Sequence, residues 1–87
     1  MEIIEIKDIV RKASPIYYRM FYGGTAVIKI LNKIIESRID FSIETKPTGE
    51  KSVLLTVNDT VDYPLVPLRR SLKQRIHSMD HDGSLPF

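Results

Sequence analysis

Two runs of the chain, "RIDFSIE" at 38–44 and "SVLLTVN" at 52–58, limit the fold more than any other feature. In the first, Ile39, Phe41 and Ile43 alternate with Arg38, Asp40, Ser42 and Glu44, the period of two expected of a half-buried strand. In the second, Val53, Leu55 and Val57 take the inward positions. Between them "TKPTGEK" supplies Pro47 and Gly49, residues suited to a turn. The pair is a β-hairpin with one apolar face, and that face needs a cover.

A cover lies downstream. In "VDYPLVPLRRSLKQRIHSM", 61–79, the residues Leu65, Leu68, Leu72, Ile76 and Met79 recur at helical spacing and form one apolar stripe. Pro67 fits a first helical turn, whose N–H groups have no partner in any case. Pro64 holds Tyr63 extended and sets the entry angle. The spacing predicts a helix from about 67 to 79. "DHDGSLPF", 80–87, is expected to be a short flexible tail after a single domain spanning 1–79.

Upstream, helical periodicity competes with strand propensity. "EIIEIKDIVRKA" puts Ile3, Ile6, Ile9, Val10 and Ala13 on one helical side, which predicts an N-terminal helix; a short strand at 2–6 is the rival. Ser14-Pro15 stops that element. "IYYRMFY", 16–22, is aromatic-rich and reads as a strand ended by Gly23-Gly24. In "TAVIKILNKIIES" a helix gathers Val27, Ile30, Leu31, Ile34 and Ile35 on one side. As one strand, the segment would place Lys29 and Lys33 on the same face as Val27 and Leu31, so the helix is preferred.

These elements predict a single small α+β domain, a three-stranded sheet with helices on one face in the order α-β-α-β-β-α. The alternative is a four-stranded antiparallel meander over 16–57, turning at 23–24 and 32–33, between N- and C-terminal helices. At 87 residues such a domain has one core and buries only about 60–65% of its unfolded surface. The chain has no cysteine, which excludes disulfides, thiolate chemistry and cysteine-bearing zinc sites and points to a reducing cytoplasm. No run approaches the roughly 20 apolar residues of a membrane span, and Glu2 and Glu5 stand where a secretion signal is cationic. Neither a membrane partner nor a cofactor is expected.

Few residues point to chemistry. Gly23-Gly24-Thr25 reads as a βα turn with Thr25 as N-cap, lacking the further residues of a phosphate-binding loop. His77 and His81 are spaced i,i+4, but the expected end of the helix separates them, so no metal is expected. Asp40 and Glu44 share a strand face at a separation of about 13 Å, too far for most acid–base pairs. "TGEK", 48–51, resembles a zinc-finger linker only by accident in a chain without cysteine. An enzyme is not expected.

Two surfaces invite partners. Tyr17, Arg19 and Phe21 alternate on one strand and, with Leu54, would form an exposed sheet face for protein contacts or self-association. As an RNA platform this face is compromised by Asp40 and Glu44. The second surface is the back of the C-terminal helix, where Arg69, Arg70, Lys73 and Arg75 occur without an acid between 63 and 79. Such a block is either a solvated face, neutralised within the fold by the acidic stretch at 34–62, or a surface for an acidic partner. The expected function is therefore a small non-enzymatic module acting through protein contacts, with phosphate binding by the basic helix as the alternative.

Overall fold

The computed structural model describes residues 1–86. Phe87, the last residue of the expected tail, lies outside the described residues. Four strands, β1 (Glu2–Lys12), β2 (Arg19–Ile30), β3 (Lys33–Thr45) and β4 (Lys51–Val57), form one antiparallel sheet in chain order. A single helix, α1 (Leu65–Asp82), covers one face. The three-stranded α-β-α-β-β-α arrangement is therefore incorrect. The four-stranded meander fits, with its first strand drawn from the N-terminal segment that had been expected to be a helix.

The β3–β4 hairpin follows its alternation. Ile39, Phe41 and Ile43 stand opposite Val57, Leu55 and Val53. Gly49 closes the turn with a φ of +88°, a conformation that favours glycine. On the same face Tyr22 stacks on Phe41 with ring centroids 5.1 Å apart. Leu68, Leu72 and Ile76 of α1 are fully enclosed against this surface. Leu65, at the head of the expected stripe, is half exposed, and Met79 only partly buried. The helix lies closest to the edge strands β4 and β1, so the sheet curves around it.

The N-terminal segment is a strand because two bulges reset its alternation. Ile3 pairs with Ile28 and Glu5 with Val27; Lys7 pairs with Thr25 and Val10 with Gly23. Each shift inserts one extra residue into β1, at Ile4 and again within Asp8-Ile9. A bulge flips the pleat, so Ile3, Ile6 and Ile9, three apart, all reach the core side. Asp8 carries the second bulge with a φ of +54°, which aspartate tolerates better than most residues.

Residues 25–37 do not form a helix either. They are the end of β2, a two-residue turn at Leu31-Asn32, and the start of β3. Gly23-Gly24-Thr25 lies mid-strand rather than in a βα turn, so Thr25 caps no helix and no helix N-terminus is present there for an anion. Gly24 instead admits β1: a Cβ there would sit 3.3 Å from the Ile9 side chain and 3.4 Å from that of Ile6.

α1 begins two residues earlier than its spacing suggested and continues through residues 80–82, which the sequence had assigned to the tail. Gly83, with a φ of +79°, ends it by donating its N–H to the Met79 carbonyl. Beyond it Leu85 folds back into the core.

Candidate interaction surface

The open face of the sheet, opposite α1, carries the odd-numbered residues of β2 and their neighbours. Phe21, Ser42 and Leu54 form one rung across β2, β3 and β4, with Lys12 at its β1 end. Ser42 is small and buried, so Phe21 and Leu54 flank a shallow trough rather than a flat apolar plate. Arg19 lies beside it, its guanidinium donating to Ser42 Oγ at 2.9 Å and to Glu44 Oε2 at 3.0 Å. Tyr17 is not part of this face. It precedes β2, is 91% exposed, and packs edge-on against Tyr18 beside Pro47. The fold thus brings together Arg19, Phe21 and Leu54 and leaves Tyr17 at the sheet's end.

Charges on this face neutralise one another. Lys7 pairs with Glu36 at 3.1 Å, Lys12 with Asp40, and Arg19 with Glu44. The hydrogen bond and charge of Glu36 raise the pKa of Lys7. Asp40 also accepts a hydrogen bond from Asn58 at 2.8 Å, and with Lys12 this lowers its carboxyl below the usual range. Gly23 makes the Lys12–Asp40 approach possible, since a Cβ there would lie 3.0 Å from Lys12 Cε. Asp40 and Glu44 each have a cationic partner of their own and form no acid–base pair.

The outer face of α1 is different. Arg69, Arg70, Lys73 and His77 line a shallow groove with Val66 and Gln74. Among the described residues none of those cations forms an ion pair, because the acids at 36, 40 and 44 are engaged across the sheet. Arg75 leaves this group: its guanidinium donates to the Ile4 carbonyl at 2.8 Å and ties α1 to the first bulge of β1. Val66 is 69% exposed and, with Leu65, adds an apolar margin that the sequence reading missed. The signal was available in Val66, which falls off the buried Leu68, Leu72 and Ile76 row.

The position of the cations matters as much as their number. With α1 starting at Leu65, Arg69, Arg70 and Lys73 lie in its first half, and its first turn holds no acid. There the helix dipole opposes positive charge. Pro64 supplies no side-chain cap to offset it.

His77 and His81 both lie on α1, yet no group of three or more His, Asp or Glu residues is disposed to hold a metal among the described residues. No described helix is long and apolar enough to cross a membrane. No curated protein and no solved structure matches the chain. One sequence family does, over residues 1–81, and on that match the chain belongs to the BB_0187 family.

Proposed function

We propose that the protein is a small non-enzymatic binding module that engages an acidic protein partner through the outer face of α1. The observation that carries this reading is the cluster of Arg69, Arg70 and Lys73, unpaired among the described residues and held where the helix dipole opposes it. A face needed only for solubility gains more from mixed charges, because Glu–Lys pairs at i,i+4 stabilise a helix. The exposed Leu65 and Val66 favour protein over nucleic acid: they offer aliphatic contact beside the charges, which a phosphate backbone does not use. The open sheet face offers no competing cationic platform, since Lys7, Lys12 and Arg19 are paired there. In this reading the cations steer and orient the partner, and the aliphatic margin slows its release.

The test is fluorescence anisotropy with a labelled amphipathic peptide carrying leucines flanked by glutamates, run beside mixed-sequence single-stranded and duplex nucleic acid. Wild type is compared with the Arg69→Glu/Arg70→Glu/Lys73→Glu variant at low and moderate salt. Peptide binding that the variant loses is the expected result. Steeply salt-dependent nucleic-acid binding, lost in the same variant, would instead make α1 a phosphate-contacting surface. Binding of neither probe at low salt would leave α1 a solvated face. Mass in solution at rising concentration shows whether the partner is a second copy.

A further inference from the structure

We propose that the turn joining β2 and β3 is a lipid-contacting tip that attaches the protein peripherally to anionic bilayers. The turn residue Leu31 is 87% exposed and has a φ of +55°, the left-handed region where glycine or asparagine is the usual occupant. Leucine there gains no burial and carries a conformational cost, which the fold itself does not explain. Ile34, 64% exposed, extends the same apolar end.

The layering of charge behind the tip selects the partner. Lys29 stands opposite Ile34 on one face of the ribbon, and Lys33 opposite Ile30 on the other. Among the described residues neither lysine forms an ion pair, although Glu2 lies across from Lys29 in the register. The sequence holds no acid between Asp8 and Glu36, and Glu36 is engaged by Lys7. Among the described residues, Asp62 is the one acid lining the groove behind the tip. Leading apolar side chains with cations set one rung back match a surface that is anionic outside and apolar beneath. The tip is also convex, since β1 accompanies β2 only as far as Lys29 and β4 accompanies β3 only from Ile39. A projection of this shape inserts into its partner rather than receiving it. The absence of a spanning helix bears on a different mode of attachment and leaves this one open.

Cosedimentation with phosphatidylcholine vesicles, with and without phosphatidylserine, tests the assignment. Wild type is expected to bind only the serine-lipid vesicles, weakly and less at higher salt. Leu31→Asn suits the turn's left-handed backbone, so it should melt no lower than wild type while partitioning about tenfold less. Lys29→Glu/Lys33→Glu should abolish partitioning, whereas Arg69→Glu/Arg70→Glu/Lys73→Glu should retain most of it. Failure of wild type to bind, or equal partitioning of wild type and Leu31→Asn, overturns the proposal. Loss of binding confined to the α1 variant would also overturn it and move lipid contact to the helix.

Discussion

Asp40 combines two hydrogen bonds with one ion pair on an exposed sheet face, and its lowered pKa couples folding to pH in a definite direction. A carboxyl whose folded pKa lies below its unfolded value stabilises the fold above the unfolded value. That contribution is lost as pH falls through the folded one. Both partners are substantially exposed, so solvent screening keeps the effect small, at or below about 1 kcal/mol. Asp40→Asn should therefore lower stability slightly at neutral pH, and the gap from wild type should close once Asp40 is protonated. Urea denaturation at neutral pH and well below the carboxylate range checks this. A gap that persists in acid would show that the loss comes from amide packing rather than charge. None of this cluster was visible as a cluster in the sequence. Lys12, Asp40 and Asn58 come from three parts of the chain, and only the register and the bare Gly23 backbone bring the first two together.

At the scale of elements, the readable parts were those with uninterrupted periodicity. Strands β3 and β4 alternate without a break after Arg38, and the apolar row of α1 steps cleanly through Leu68, Leu72 and Ile76. The misread parts were those where a strand changes phase. Two bulges space Ile3, Ile6 and Ile9 as a helix would, and the Leu31-Asn32 turn lacks the glycine that ordinarily marks a tight hairpin. Without that mark, residues 25–37 looked continuous, and only a helix accommodated both lysines. Splitting the segment removes the conflict: Lys29 stays on the open face with Val27, and Lys33 moves to the other parity. The first bulge also explains why Arg75 differs from its neighbours. Its bond to the Ile4 carbonyl links α1 to an irregular edge strand, in a partly buried setting. Arg75→Ala should destabilise the fold by about 1–3 kcal/mol, whereas Arg70→Ala should be nearly neutral. Thermal or urea denaturation of the two variants measures the difference. Faster amide exchange in β1 for Arg75→Ala would localise it.

The whole molecule is 42 Å long and segregates its charges: pairs across the open sheet, unpaired cations along the first half of α1. α1 opens three residues after Asp62, which borders the groove behind the hairpin tip, so its basic half starts near the end that carries Leu31. The arrangement has a thermodynamic consequence that separates a functional cluster from a structural one. Arg69 and Lys73 are like charges at i,i+4, and Arg70 and Lys73 at i,i+3, each mildly destabilising. The dipole at the helix N-terminal half adds to this, and no acid pairing offsets it among the described residues. Neutralising all three as Arg69→Gln/Arg70→Gln/Lys73→Gln should therefore leave stability unchanged or raise it by up to about 1 kcal/mol. Added salt, which screens the repulsion, should stabilise wild type more than this variant. Melting curves across a salt series give both quantities. A clear loss of stability in the glutamine variant would mean that the cations hold the fold together, and binding defects in the charge-reversed protein would then have a structural cause. Equal or greater stability together with lost peptide binding would identify a surface that spends folding stability on recognition.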